Sequence, residues 1–331
     1  MKKIIFAGSG EILINVIKYF VKYKAVEVLA VIPRPDLKTS KNFIKKLKET
    51  NLTKSIPILK FKNINSTNSL NKLKDMSPDL ICNLGHNQLF KDELLEIPQI
   101  GCLNLHPGLL PFGRGSGAVQ GEIINKQDQI GWSCHFMNNK FDSGFLVSQK
   151  KIKLKKNPLY LNEIISKLLY KVDKFYISAI KKVLMKKKFK KKRKLLSFGR
   201  YYPKFVPGDE VIDWNQNSDL ILRKIRSRSP EILSVVYLTN MKKKFFIKKA
   251  SKSNIKNYNF VNGQVIDKDK KKGVLVKTND NAIWLSLGSF NKKKFEIPKF
   301  QIGTVFHTNS AGNVLKLVEK INSLEKKLNK L

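Results

Sequence analysis

The amino-acid sequence predicts an α/β protein in which a doubly wound parallel sheet is followed by a small β-barrel. Short apolar runs alternate with helical patterns in the first half, as in strands joined by crossover helices. After Asp213-Trp214 the pattern changes to short β-like runs bounded by turns, which indicates a separate all-β domain. With 331 residues, 42% of them hydrophobic, the chain is long enough for two packed domains.

Five apolar runs in the first part are interpreted as strands. They span 3–7, 26–32, 56–59, 79–84 and 100–105. The first run ends in Gly8-Ser9-Gly10, and a helical pattern from Ile12 to Phe20 follows it. The second is stopped by Pro33-Arg34-Pro35 before a lysine-rich helix around 41–50. A strand, a glycine-rich turn and a helix therefore open the chain.

The opening glycines do not predict a dinucleotide site. The full Gly-x-Gly-x-x-Gly motif is absent, because Leu13 occupies the position of the third glycine. The second strand ends in Pro33 and not in an acidic residue that would bind a ribose. We interpret these glycines as a tight strand-to-helix turn.

The ends of the fourth and fifth runs carry polar side chains. Ligands of doubly wound sheets bind beyond the carboxyl ends of the strands. The segments at those ends are Leu84-Gly85-His86 and Asn104-Leu105-His106. We therefore expect the chemistry of the protein at this edge.

The second half combines helical, basic and β-like segments. From about 154 to 200 it has a lysine-rich helical pattern that ends in a basic run. We divide the chain into a first domain over 1–185, a basic linker over 186–209, a β-barrel over 210–307 and a coiled-coil-like helix over 308–331. The five β-like runs of the barrel are 235–238, 244–247, 263–266, 273–276 and 282–287. The last helix has few heptads, so it would either dock on its own chain or pair two subunits as a homodimer.

The net charge of +40, from 65 Lys and Arg against 25 Asp and Glu, suggests a polyanionic partner. Lysine is spread over nearly every segment, however, as happens when an AT-rich genome biases codon use. The charge alone leaves a nucleic-acid partner and a solvated surface both open. No apolar run is long enough to span a bilayer, and the turn at 8–10 comes too early for a signal peptide. We expect a cytoplasmic protein with no membrane partner.

The cysteines and three of the histidines receive structural interpretations. Cys82, Cys102 and Cys134 lie in apolar segments without metal-ligand spacing, so we expect buried thiols and no metal. The remaining histidines away from the predicted catalytic set are interpreted as structural or solvent-facing: His86, His135 and His307. Of these, His86 borders the expected ligand site.

Residues 98–146 carry the densest chemical information. Asn104 and His106 are two apart on one predicted strand, so their side chains point to the same side. Asp142 lies in a turn-like Phe-Asp-Ser-Gly that can return over the same edge. An amide can donate to an oxyanion, an imidazole can move protons, and a carboxylate can orient the imidazole and raise its pKa. We predict Asn104, His106 and Asp142 as a catalytic set for acyl transfer.

The run Asn104-Leu-His-Pro-Gly-Leu-Leu-Pro111, the following Arg114-Gly115 and Asp142-Ser-Gly144 resemble the formyltransferase family, whose members act on methionyl-tRNA, glycinamide ribonucleotide and amino sugars. The resemblance implies a Rossmann-like catalytic domain, the same three catalytic residues, and 10-formyltetrahydrofolate as co-substrate. The folate pterin would lie against the segment at 83–86 and the loop at 137–142, with the Leu-Leu-Pro loop bordering the site. The implied cofactor-binding residues are Asn83, Leu84, Gly85, His86, Leu109, Leu110, Pro111, Met137 and Phe141.

The resemblance leaves two acceptors open. Residues 198–214 and the runs over 263–287 resemble the linker and barrel of the methionyl-tRNA and amino-arabinose enzymes, and the glycinamide ribonucleotide enzyme lacks this domain. The chain length, the barrel and the basic run at 186–194, which could contact phosphates, favour charged initiator tRNA as the acceptor. The segment 34–41 is shorter than the basic loop of the tRNA enzymes, which favours N-formylation of a nucleotide-linked amino sugar. Ala118 departs from both, since both usually have proline there.

Overall fold

A computed structural model of the chain describes residues 1–154, 159–185, 199–230, 233–238, 243–255, 259–307 and five positions between 318 and 325. The chain divides into two compact units. The first comprises 1–119, 128–154 and 167–203, and the second comprises 120–127, 155–166 and the chain from 204 onward. Residues 186–198 of the predicted linker lie outside the described residues, as does the predicted helix at 308–331 apart from those five positions.

The first unit is built around a six-stranded sheet. Its strands are β1 (Lys2–Gly8), β2 (Val26–Pro33), β3 (Leu80–Leu84), β4 (Gly101–His106), β5 (Gln129–Phe136) and β6 (Leu146–Lys153). Their order is β2-β1-β3-β4-β5-β6. Strands β1 to β4 are parallel, while β5 and β6 run antiparallel to their neighbours. The predicted α/β sheet is confirmed, and an antiparallel pair that the sequence did not indicate extends it at one edge.

Helices connect these strands and continue the chain beyond them. They are α1 (Glu11–Val21), α2 (Leu37–Glu49), α3 (Thr67–Met76), α4 (Asp92–Leu95), α5 (Ala118–Ile124), α6 (Leu161–Leu169) and α7 (Val172–Met185). Helix α2 begins before the predicted residue 41, because the Asp36 carboxylate accepts a hydrogen bond from the Thr39 N–H and caps the first turn. Only three residues therefore separate β2 from α2.

The turn after β1 lies against the end of β3. A Cβ atom on Gly8 would be 1.9 Å from the Leu84 carbonyl oxygen, and Gly8 has a φ of +128°. The Ser9 N–H donates to that same carbonyl at 3.1 Å. Because β2 lies on one side of β1 and β3 on the other, this is a topological switch point, where such sheets bind ligands.

The prediction of a strand at 56–59 is wrong. The segment forms a single bridge, between Ile58 and Val31 of edge strand β2. Pro57 has no N–H to donate, so only the hydrogen bonds from Val31 to Pro57 and from Leu59 to Val31 form. A proline within a short apolar run limits its pairing to one residue.

The second unit contains the predicted barrel. It comprises α8 (Ser218–Arg228), β7 (Ser234–Tyr237), β8 (Lys244–Lys252), β9 (Val265–Asp269), β10 (Gly273–Lys277) and β11 (Ala282–Ser289). The strands are antiparallel in the order β7-β8-β11-β10-β9. Residues 303–307 close the sheet, since Val305 pairs with Gln264 before β9 and His307 pairs with Tyr237 of β7. Each of the five predicted runs overlaps one of these strands.

The remaining expectations concern thiols and membranes. Cys82, Cys102 and Cys134 are all buried and free, as predicted. Burial raises the pKa of all three thiols well above its usual range. Within the part of the chain that the structure describes, no helix is long and apolar enough to cross a membrane.

Candidate active site

Three neighbouring strands of the first sheet, β3, β4 and β5, place polar side chains side by side near the carboxyl ends of β3 and β4. Asn83 of β3 lies opposite Asn104 of β4 in the parallel register. His135 of antiparallel β5 lies opposite Asn104 on the other side. Residues at the same register of adjacent strands have neighbouring side chains on one face. The sheet therefore aligns Asn83, Asn104 and His135 in a row.

Hydrogen bonds join this row to Asp142. The Asn83 amide Nδ2 donates to Asn104 Oδ1 at 3.0 Å. Asn104 Nδ2 lies 3.2 Å from His135 Nε2 and 3.4 Å from Asp142 Oδ1. The His135 ring is almost fully buried, at 2% exposure. The predicted pair Asn104 and Asp142 is thus in contact, together with two further polar side chains.

His106, two residues further along β4, completes the cluster. Its Nδ1 atom is 3.4 Å from Asp142 Oδ1, and its Nε2 atom is 2.6 Å from the Gly113 carbonyl oxygen. The imidazole is buried. The other two predicted catalytic side chains, Asn104 and His106, therefore each have a nitrogen 3.4 Å from Asp142 Oδ1.

The loop after β5 presents Asp142 in its ionised form. Asp142 has a φ of +49°, and its Oδ2 atom accepts the Gly115 N–H at 2.9 Å. Burial alone would raise the pKa of the Asp142 carboxyl. The His135 and His106 imidazoles and the Gly115 N–H outweigh burial and lower that pKa to about 2. The carboxylate is negative at neutral pH.

The pKa of His106 differs from the sequence expectation. We predicted that Asp142 raises this pKa, and the carboxylate and the Gly113 carbonyl do act in that direction. Burial outweighs both, and the net pKa of His106 lies below its usual 6.5. The imidazole is therefore neutral at physiological pH and ready to accept a proton.

Sequence reasoning missed His135. We interpreted it as structural or solvent-facing, whereas its Nε2 atom lies 3.6 Å from Asp142 Oδ1. The missing information was the antiparallel pairing of β5 with β4, which places His135 opposite Asn104. A single histidine in a run of mixed polarity gives no sign of its partner strand.

The residues predicted to bind the cofactor fall into two groups around this cluster. At the end of β3, Gly85 is exposed with a φ of +79°, while His86 is buried with its ring 5.7 Å from that of Phe90. Burial and the nearby Arg34 lower the pKa of His86 to about 4. Leu84 is buried beside Gly8, and Asn83 is bound to Asn104.

The second group belongs to the loops after β4 and β5. Leu110 is buried and its N–H donates to the Ser133 hydroxyl, while Leu109 lies against Gly131 and Pro111 against Gly199. The structure places Met137 against the core of the first unit. Phe141 is 55% exposed beside Asp142. Phe141 and Gly85 are thus the most accessible of the predicted contacts, and their role in folate binding stays a prediction.

Two amides, two imidazoles and an ionised carboxylate meet at the carboxyl ends of strands in a Rossmann-like sheet, and such groups are suited to the oxyanion binding and proton transfer of a group-transfer enzyme. The described residues contain no group of three or more His, Cys, Asp or Glu that could hold a metal ion. The chain belongs to the formyl transferase family. The family model described as formyl transferase matches residues 1–180, and the model of the formyl transferase C-terminal domain matches 204–304.

Individual relatives are similar over different lengths. The methionyl-tRNA formyltransferase of Fusobacterium nucleatum is 27% identical over 327 residues, 96% of this chain and 99% of that protein. The bifunctional polymyxin resistance protein ArnA of Wigglesworthia glossinidia brevipalpis is 31% identical over 206 residues, which cover 61% of this chain and 31% of that longer protein. HypX from Aquifex aeolicus, solved in complex with tetrahydrofolic acid, has a TM-score of 0.51 at 16% identity. It covers 88% of this chain and 45% of that one, and the likeness shows the fold.

Proposed function

We propose that this formyltransferase takes its formyl group from 10-formyltetrahydrofolate and transfers it to the α-amine of methionyl-tRNA. The similarity to the Fusobacterium methionyl-tRNA formyltransferase carries the proposal, because it extends over 96% of this chain, both units included. The clustered Asn104, His106 and Asp142 side chains support the chemistry.

In the proposed reaction the acceptor amine attacks the formyl carbon and a new C–N bond forms. The carbonyl oxygen becomes an oxyanion, to which the Asn104 amide donates; one such donor typically stabilises a transition state by about 3 kcal/mol. In neutral His106 the Nε2 proton faces the Gly113 carbonyl, so Nδ1 accepts the proton that the attacking nitrogen loses, and ionised Asp142 stabilises the resulting imidazolium. Cleavage of the bond between the formyl carbon and N10 releases tetrahydrofolate, with His106 returning the proton to the leaving nitrogen.

A basic groove in the second unit supports an RNA acceptor. The groove has a volume of about 730 Å³, and basic side chains outnumber acidic ones in its lining. Lys244, Lys248, Lys292 and Arg228 line it together with Asp209, Glu210 and apolar side chains that include three phenylalanines. Lys248 Nζ lies 4.6 Å from the Phe295 ring centroid, and Lys292 Nζ lies 4.4 Å from that of Phe246. Ammonium groups held over ring faces are favourably placed to contact phosphates.

A nucleotide-linked amino sugar is the second candidate. The three-residue connection between β2 and α2 favours it, because it leaves no long basic loop at the edge where the active-site strands end.

One assay separates the two acceptors. Labelled 10-formyltetrahydrofolate is offered in parallel with charged methionyl initiator tRNA and with nucleotide-linked 4-amino and 3-amino sugars. We expect labelled formylmethionyl-tRNA. Transfer to a sugar nucleotide alone, with no formylmethionyl-tRNA even at low salt, would replace the proposed acceptor and retain the proposed donor.

A further inference from the structure

Asn83 belongs to the polar row but has no part in the mechanism above. Its side chain is buried, at 5% exposure. Its main chain is also held, because the Tyr176 hydroxyl donates to the Asn83 carbonyl at 2.9 Å. We propose, on the basis of the proposed formyl transfer, that Asn83 is a positioning residue that orients the Asn104 amide with its NH2 group towards the reacting atoms.

A backbone group at one end of the row determines the orientation of both amides. At one end, the His86 N–H lies 3.0 Å from Asn83 Oδ1. A backbone N–H can only donate, so this side-chain atom is the oxygen and Asn83 Nδ2 faces Asn104. Nδ2 can only donate in turn, so Asn104 presents its oxygen to Asn83, at 3.0 Å.

The atoms at the other end fit this orientation. The Asn104 NH2 group is left facing His135 Nε2, at 3.2 Å. His135 Nδ1 lies 2.8 Å from the Phe136 carbonyl oxygen, which can only accept, so a proton lies on Nδ1 and Nε2 can serve as the acceptor for Asn104. The second Asn104 N–H makes the long 3.4 Å contact with Asp142. This weaker bond is the one that an oxyanion can replace.

Replacing Asn83 with aspartate, which has the same shape, should reverse the orientation of the Asn104 amide. Asn83→Asp keeps the shape and the acceptor for the His86 N–H, but it removes the donor to Asn104 and adds a negative charge. The Asn104 NH2 group is then drawn towards residue 83, which removes the donor from the reaction side. Loss of one oxyanion donor typically lowers kcat by about 10²- to 10³-fold. Asn83→Ala only removes the donor, so we expect a kcat loss of roughly 3- to 10-fold.

The test compares both variants in the wild-type and in the Asn104→Ala background. We expect Asn83→Asp to lower kcat far more than Asn83→Ala, with the folate KM within about twofold of wild type. In the Asn104→Ala background neither change should lower kcat further, since the group they act through is absent. Losses that persist in that background indicate a structural defect and overturn the proposal. A raised folate KM with unchanged kcat assigns Asn83 to folate binding and also overturns it.

A second measurement needs no turnover. In protein labelled with ¹⁵N at asparagine side chains, the NH2 signals of Asn104, assigned by their loss in Asn104→Ala, should shift strongly in Asn83→Asp. Asn83→Ala provides the same measurement if the aspartate variant does not fold. Unmoved Asn104 signals would overturn the inference, whereas failure of the proposed function would appear separately, as wild-type protein that formylates neither acceptor.

Discussion

At the scale of single residues, the site depends on how burial and charge divide between His106 and Asp142. His106 is buried and Asp142 is partly buried, yet Asp142 is held ionised with a pKa of about 2, while His106 has its pKa lowered below 6.5. The pair therefore consists of a neutral base beside a carboxylate that can stabilise the imidazolium it forms. This is the protonation state that attack by an amine requires.

Asp142→Asn should change the pH dependence as well as the rate. The base is neutral His106, so kcat/KM falls as the pH drops through the His106 pKa, which lies below 6.5. Because the Asp142 charge raises that pKa, its removal should move the acid limb to lower pH. The plateau rate should fall by roughly 10²-fold or more, since the imidazolium loses its partner. An acid limb that stays in place or moves to higher pH would contradict the assignment of His106 as the base.

At the scale of elements, the opening strand-turn-helix positions the active edge. Gly8 has to be glycine on two grounds, its φ of +128° and the 1.9 Å approach of a Cβ to Leu84. Gly10 has a φ of +101°, but nothing lies within 4 Å of its Cβ position. A side chain at Gly8 would therefore meet both an unfavourable φ and a steric clash, whereas a side chain at Gly10 would meet only the unfavourable φ.

Alanine substitutions should differ accordingly. Gly10→Ala encounters only the unfavourable φ, which typically costs about 1–3 kcal/mol. Gly8→Ala encounters a comparable φ and also pushes β3 away, so we expect its unfolding free energy to be lower by a further 1–3 kcal/mol or so. Urea unfolding of both variants measures the difference, with wild type as reference. Equal stabilities would mean that the contact between β1 and the end of β3 is looser than described.

The same scale shows why sequence reasoning found some elements and missed others. Strands β1 to β4 are mostly apolar runs bounded by glycine, proline or polar residues, so each can be recognised by itself. Strands β5 and β6 contain polar and charged residues, so neither is recognisable as a strand from its own sequence. They can be identified only once their pairing is known. His135 was missed for that reason, whereas Asn104 and His106 share one strand and could be predicted together. The segment around Pro57 shows the opposite error. Its apolar run predicted a strand, but the proline has no N–H to extend hydrogen bonding to β2 beyond one bridge.

At the scale of the whole molecule, the net charge of +40 either attracts RNA phosphates at particular lysines or is only hydrated by solvent. Lysine is abundant throughout, so removing any three lysines lowers the total charge equally. Only those that contact phosphates should change the salt dependence of binding, because each contact releases condensed counterions. The second unit offers a matched comparison between the lysines of its groove and those of an exposed turn.

Replacement of Lys244, Lys248 and Lys292 with glutamine should raise the KM for methionyl-tRNA. It should also flatten the plot of log kcat/KM against log salt by up to about 0.9 for each lost phosphate contact. The charge-matched control replaces Lys268, Lys270 and Lys271, which are exposed around the turn between β9 and β10. A change at the turn that weakens tRNA use as much as the change in the groove would mean that total charge, and not the groove, attracts the RNA. If the acceptor is a sugar nucleotide, both triple variants should leave the salt dependence of its kcat/KM nearly unchanged, because so small a ligand makes few phosphate contacts.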